Sequence, residues 1–167
     1  MSEKTYIPEG EAAPASQIGA TFEALAATIA ARRDAGEESY TYRLLTGNVD
    51  GVLKKVMEES GDVALAAKDV ESWAVSSMAA AMGYEAASNA GEPEGDLSMR
   101  LPAGCGPWAV DHLRYEAADV VYHLLVVLER FGISLDEFAA ELNNRMTEAE
   151  RPEGAIRLHD EFVKRGK

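Results

Sequence analysis

Four stretches of the chain carry apolar residues at helical spacing, at about 18–35, 49–67, 113–131 and 134–145. In the first, one helix face carries the i, i+3, i+4, i+7 residues Phe22, Leu25, Ala26 and Ile29. Ser134 is predicted to cap the fourth helix, with Glu137 completing a capping box. No stretch alternates convincingly as a half-buried strand would. The pattern therefore predicts an all-α protein arranged as a four-helix bundle.

The segments between and beside these helices predict the domain organisation. Residues 1–17 contain Pro, Gly and several glutamates and are predicted to form a mobile N-terminal tail. An all-α domain is predicted over 18–146, followed by a C-terminal extension over 147–167 in which 157–165 could add a short helix. Within the domain, 36–48 is predicted as a polar loop. The stretch 69–110 begins like a helix and becomes a Gly-, Pro- and acid-rich loop.

Two of the predicted helices carry pairs of carboxylates at the margin of their apolar faces. On the second, Glu59 lies between Val56 and Val63, and Asp62 follows at i+3. On the third, Glu116 borders the stripe of apolar residues and Asp119 follows at i+3, with His123 beyond. Ionised carboxylates beside a core are costly unless a cation or a proton compensates them. If the two helices pack antiparallel, four carboxylates converge.

Mg²⁺ bound by these carboxylates would resolve both a local and a global charge problem. The chain has 29 acidic and 16 basic residues and a net charge of -13, which would repel an anionic substrate unless metal ions received it. The same charge argues against nucleic acid and anionic membranes as partners. Acidic residues at i, i+3 are also common on solvated helix faces, so the residues alone leave both interpretations open.

Three segments that surround these residues resemble the MazG-like superfamily of all-α NTP pyrophosphohydrolases. They are similar above all to the phosphoribosyl-ATP pyrophosphohydrolase family of histidine biosynthesis. The matching segments are SYTYRLL (39–45), LKKVMEESGDVALAAKD (53–69) and YEAADVVYHLLVVLERFGISLDEFAAEL (115–142). The resemblance implies a MazG-like fold and Mg²⁺-dependent cleavage of phosphoribosyl-ATP to phosphoribosyl-AMP and pyrophosphate.

The resemblance also implies roles for individual residues. Metal ligands are implied at Glu59, Asp62, Glu116 and Asp119. Glu58 is implied as a second catalytic carboxylate beside Glu59. It would act as the general base for the attacking water or would orient the metal ligands by contacting them. Contacts to phosphate or ribose are implied at Ser39, Tyr40, Thr41, Lys54 and Lys55. His123 is implied as a hydrogen-bonding residue behind the ligands. Asp62 departs from the Glu usual in the family, and 69–110 is an insertion that could extend the helix, cover the site or add dimer interface.

The third helix is apolar on nearly all sides, which favours a homodimer in which the bundle is completed by a second subunit. No apolar run is long enough to span a bilayer, and no signal peptide is recognisable. With a single Cys in the chain, these features favour a cytoplasmic protein.

Two other functions remain open at the level of sequence. A housecleaning pyrophosphohydrolase acting on (deoxy)nucleoside triphosphates would use the same carboxylates with a different pocket. A non-catalytic helical interaction module would carry them merely as solvated charges. Segments 39–45 and 53–69 favour the substrate of the histidine pathway over the first of these.

Overall fold

The computed structural model describes residues 4–88 and 107–163, and these fold entirely into helices, turns and loops. The α-helices are α1 (Gln17–Ala31), α2 (Tyr40–Thr46), α3 (Val49–Ser88), α4 (Pro107–Arg130) and α5 (Leu135–Asn143). Short 3₁₀ turns occupy Arg32–Asp34 and Asp160–Phe162. The prediction of an all-α, MazG-like fold is confirmed. Within the described residues, none of the helices is long and apolar enough to cross a membrane.

The chain divides into two compact units. The first unit combines Met1–Val49 with Leu125–Lys167, and the second unit is Asp50–Leu124. In the first unit, the predicted face of α1 is confirmed, because Ile29 is buried and Phe22, Leu25 and Ala26 are half-buried. The side chain of Ser16 caps this helix by accepting a hydrogen bond from Gly19 N at 3.0 Å.

The prediction of a polar loop over 36–48 is wrong, because α2 lies within it. Ser39 caps this short helix, and Leu44 and Leu45 are buried. The guanidinium of Arg130 donates to the carbonyl oxygens of Leu44 and Gly47 at 2.6 Å each. These carbonyls lie at the C-terminal end of α2, where backbone acceptors have no partner within the helix. Tertiary contacts therefore stabilise a helix too short to be recognised from its own periodicity.

The predicted start of α5 is confirmed by a complete capping box. Ser134 Oγ accepts from Glu137 N at 3.2 Å, and Ser134 N donates to the Glu137 carboxylate at 3.0 Å. The hydrogen bond from the Ser134 backbone, followed by that from its hydroxyl, lowers the pKa of Glu137. Of the short helix predicted at 157–165, the described residues contain only the 3₁₀ turn Asp160–Phe162.

In the second unit, α3 is much longer than predicted. It continues past the expected end at Ala67 to Ser88, so the first part of the 69–110 insertion extends this helix. The rest of the predicted loop, 89–106, lies outside the described residues. Near the far end of the paired helices, the indoles of Trp73 and Trp108 meet edge to face with centroids 5.9 Å apart.

The most buried positions of α3 follow a seven-residue repeat. Val52, Glu59 and Ala66 are all buried. Seven residues make about two helical turns, so these positions share one face. On α4, a corresponding row contains Ala109 and His123, which are buried, and Glu116, which is half-buried. Glu116 is predicted to border the apolar stripe of α4, but that stripe is not its most buried face, because Ala117 is exposed and Leu113 and Val120 are only half-buried. Glu59 and Glu116 instead belong to the inward-facing rows themselves.

The surroundings of Gly61 show that the outer face of α3 is exposed to solvent. A Cβ added there would meet no atom within 4 Å, and its i−4 and i+4 neighbours, Met57 and Leu65, are 77% and 66% exposed. We expect Gly61→Ala to raise the unfolding free energy by about 0.5–1 kcal/mol through helix propensity. Urea denaturation measures this, with Gly51→Ala as control because its Cβ would also meet nothing. A loss of stability together with weaker self-association would show that another surface approaches Gly61.

Candidate metal centre

Three carboxylates of the second unit converge between α3 and α4. Glu59, Asp62 and Glu116 each offer one oxygen atom, and these oxygens all lie within 4.8 Å of one another. Glu59 is only 8% exposed, and the other two are half-buried. Glu59 and Asp62 lie one turn apart on α3, and Glu116 reaches them from the inward-facing row of α4. The structure therefore brings together three of the four predicted ligands.

The chemistry of this donor set fits a hard divalent cation. Mg²⁺ binds oxygen at about 2.0–2.1 Å, so opposite ligands of an octahedron lie about 4.2 Å apart. Oxygens within 4.8 Å could reach that geometry through small side-chain rotations. Three carboxylates at this separation, one of them buried, repel one another unless a cation neutralises them. Glu59, Asp62 and Glu116 could hold such an ion, with water or substrate completing its coordination.

Basic side chains from the same helices contact two of these carboxylates. Lys55 Nζ lies 3.2 Å from Glu58 Oε2 and 3.3 Å from Glu59 Oε1. Hydrogen bonds to Glu58 and then to Glu59 raise the pKa of Lys55. On α4, His112 Nε2 lies 2.9 Å from Glu116 Oε1. His112 was not predicted from the sequence, although its i, i+4 spacing from Glu116 could have indicated it.

His123 lies beneath the cluster and is 5% exposed. Its Nδ1 is 2.9 Å from the carbonyl oxygen of Asp119. Because a carbonyl only accepts, Nδ1 must carry the proton of this hydrogen bond. The same Nδ1 lies 3.8 Å from Glu59 Oε1, so the N–H edge of the ring lies near the most buried carboxylate of the cluster. The ring also meets Tyr122 edge to face at 5.1 Å.

The remaining residues predicted for the second unit do not belong to this group of converging carboxylates. Asp119 is half-buried on α4 but is not one of the three converging carboxylates. Glu58 is exposed and paired with Lys55. Lys54 lines an open depression of about 600 Å³ along α3. The other residues lining this depression are Asp50, Leu53, Met57 and Glu58.

The predicted segment Ser39–Thr41 lies in the first unit, at the start of α2. Ser39 Oγ accepts from Tyr42 N at 3.3 Å, so this hydroxyl has a structural task as a helix cap. Tyr40 is largely exposed, and Thr41 is half-buried. The segment therefore lies at the start of a helix whose other end Arg130 holds in place, with Tyr40 44% exposed.

Comparison with known proteins gives the same relationship over most of the chain. The family described as phosphoribosyl-ATP pyrophosphohydrolase matches residues 22–146. A phosphoribosyl-ATP pyrophosphatase of Paracidovorax citrulli is 31% identical over 150 residues, covering 87% of this chain and 85% of the relative. One of Methylobacterium nodulans is 39% identical over 121 residues, covering 72% and 78%. No solved structure was found to match.

The family match spans both helices that carry the carboxylates and the start of α2 as well. The extent of this match and the identity to the relatives agree with the all-α fold and with the resemblance carried by segments 39–45, 53–69 and 115–142. This chain belongs to the phosphoribosyl-ATP pyrophosphohydrolase family.

Proposed function

We propose that this protein hydrolyses phosphoribosyl-ATP to phosphoribosyl-AMP and pyrophosphate, the second step of histidine biosynthesis, with Mg²⁺ at the carboxylate cluster. Family membership supports the reaction and its substrate. The observation that carries the chemistry is the convergence of Glu59, Asp62 and Glu116 oxygens within 4.8 Å. A solvated acidic face would gain nothing from bringing three carboxylates so close together.

In this proposal the ligands are Glu59, Asp62 and Glu116, with Asp119 as the fourth. A bound Mg²⁺ would neutralise charge on the phosphate chain and lower the pKa of the attacking water. Glu58 would accept a proton from that water as it adds to phosphorus. The bond between the α- and β-phosphates then breaks, and pyrophosphate leaves.

Other residues are proposed to bind and orient the substrate. The Lys55 ammonium lies against Glu59, and Lys54 precedes it on α3; both are proposed to contact phosphate oxygens. His123 would hold the buried Glu59 carboxylate in place. Ser39, Tyr40 and Thr41 are proposed to contact the phosphate or ribose groups, Tyr40 being the most open of them. With a net charge of -13, the chain needs such local cations to admit an anionic substrate.

We further propose that the protein works as a cytoplasmic homodimer. The large exposure of Met57 and Leu65 on α3 supports a second subunit covering this face. The proposed organisation is a tail over 1–17, the catalytic domain over 18–146 and an extension over 147–167. Gel filtration or sedimentation giving a stable monomer at low micromolar concentration would contradict the dimer.

The substrate is tested by following pyrophosphate release from phosphoribosyl-ATP and from a panel of ordinary and deoxynucleoside triphosphates, each with Mg²⁺ and with EDTA. We expect Mg²⁺-dependent release from phosphoribosyl-ATP above all other substrates. Faster release from a deoxynucleoside triphosphate would keep the metal centre and move the function to nucleotide housecleaning. No release from any substrate would favour the non-catalytic module.

A further inference from the structure

Lys55 contacts Glu59, the most buried ligand candidate, more closely than His123 does. Its ammonium bridges Glu58 Oε2 at 3.2 Å and Glu59 Oε1 at 3.3 Å. Glu59 has little access to solvent, whereas Lys55 reaches it from the partly exposed surface of α3. The Lys55 ammonium is therefore carried by a flexible side chain that starts outside the cluster and ends in contact with Glu59.

The charge of the cluster explains why an ammonium lies there. The oxygens of Glu59, Asp62 and Glu116 lie within 4.8 Å of one another, and repulsion among them is reduced by any nearby positive charge. A lysine supplies one charge through three donors that rotate freely, and it does not impose a fixed geometry. Both contacts are at or beyond the upper end of the usual range for N–H···O hydrogen bonds, so neither anchors the ammonium tightly.

A divalent cation bound by Glu59 would compete with this ammonium. The ion would lie about 2.0–2.1 Å from the carboxylate oxygen. An ammonium on the same oxygen would then face a doubly charged ion at close range, and the two cations repel each other.

We propose that Lys55 is a displaceable counter-cation: its ammonium neutralises Glu59 while no divalent cation is bound there and leaves Glu59 when one binds. This inference rests on the proposed metal-dependent function and extends it to how the empty centre is stabilised. Lys55 is then a positioning residue that keeps the cluster assembled and lowers its affinity for the cation. The released ammonium becomes free to meet a phosphate group.

The test is the affinity of the full chain for Mg²⁺ without substrate, measured by isothermal titration calorimetry. Lys55→Met keeps the aliphatic stem and removes the competing charge. We expect it to bind Mg²⁺ about fivefold or more tightly than the unmodified protein, a typical size for coupling between two sites. Thermal unfolding adds a second readout: without Mg²⁺ the variant should melt at a lower temperature, and Mg²⁺ should raise that temperature by more than in the unmodified protein.

Lys68→Met is the matched control. Lys68 also pairs with a Glu at i+3 on α3, namely Glu71, so the control loses the same charge and the same kind of ion pair. We expect its Mg²⁺ affinity to be unchanged, and Lys55→Arg, which keeps the charge, should stay close to the unmodified protein. Circular dichroism of each variant checks that it is folded.

The outcomes separate this inference from the proposed function. If Mg²⁺ binds equally well, or less well, after Lys55→Met than before, Lys55 does not compete and the inference is wrong while the metal centre stands. If neither protein binds Mg²⁺, both the centre and the counter-cation are wrong. Tighter binding in Lys68→Met as well would assign the effect to overall charge and also overturn the inference.

Discussion

Glu116→Gln should reduce Mg²⁺-dependent pyrophosphate release from phosphoribosyl-ATP by about 10²–10³-fold. The amide has the shape of the carboxylate but cannot supply the charge that a metal ligand needs. Losing a few kcal/mol of transition-state stabilisation corresponds to a rate loss of this size. Because Glu116 is the only one of the three converging carboxylates on α4, its loss leaves the cluster with ligands from α3 alone. Steady-state kinetics at several Mg²⁺ concentrations measure the effect.

The matched control for this prediction is Glu71→Gln. Glu71 is also a helical glutamate in the second unit paired with a basic residue, but it lies away from the cluster in an exposed pair with Lys68. We expect its rate to stay within about twofold of the unmodified protein, as for a surface substitution. Glu116→Gln retaining full activity with an unchanged Mg²⁺ requirement would show that hydrolysis takes place elsewhere.

The largest expected effect on stability is that of Arg130→Met, which should lower the unfolding free energy by about 2–4 kcal/mol. Methionine keeps the length of the side chain but removes both hydrogen bonds to the carbonyl oxygens of Leu44 and Gly47. The hydrogen bond to the Leu44 carbonyl is partly buried, so water replaces this charged donor only in part. Urea denaturation followed by circular dichroism measures the change.

Arg145→Met provides the comparison for Arg130→Met. Arg145 forms an exposed ion pair with Glu141 at 3.2 Å, and such pairs contribute little to stability. We expect a change below about 1 kcal/mol. If Ser39–Thr41 contact the substrate, Arg130→Met should also raise KM at temperatures where it remains folded, because α2 loses the contacts that hold it. Equal stability of the two variants would mean that α2 is held by its buried leucines alone.

The parts of the fold that could be predicted from sequence are those with a local signature. The capping box of Ser134 and Glu137 involves only four consecutive residues, and the structure has it at the predicted place. The i, i+3 pairs fixed which carboxylates share a helix face, and pairing of α3 with α4 brought Glu59, Asp62 and Glu116 together. The capping box and the i, i+3 pairs each depend on the geometry of one helix, which spacing in the sequence determines.

The errors arose where tertiary contacts decide the outcome. The helix α2 was predicted as a loop because its seven residues are too few for a periodic pattern, while Arg130 stabilises it from a distant position in the sequence. The end of α3 was placed near Ala67, although no proline interrupts the chain before Ser88. The buried rows were misassigned because a stripe of Leu and Val looks more apolar than a row containing Glu and His.

The role of Asp119 as a metal ligand stays a prediction. It was inferred as the partner of Glu116 at i+3, yet the converging group contains only the other three carboxylates. Its backbone carbonyl accepts from His123 Nδ1, which links the same turn of α4 to the cluster from behind. An Asp side chain at this point reaches less far than a Glu would.

The most direct measurement is a crystal structure of the protein grown with Mn²⁺, located by its anomalous scattering. Mn²⁺ takes the same carboxylate and water ligands as Mg²⁺ and can be distinguished from water. We predict a strong anomalous peak bound by Glu59, Asp62 and Glu116, absent from crystals of Glu116→Gln. A protein that hydrolyses phosphoribosyl-ATP while its Mn²⁺ lies away from these three carboxylates would contradict the proposed centre.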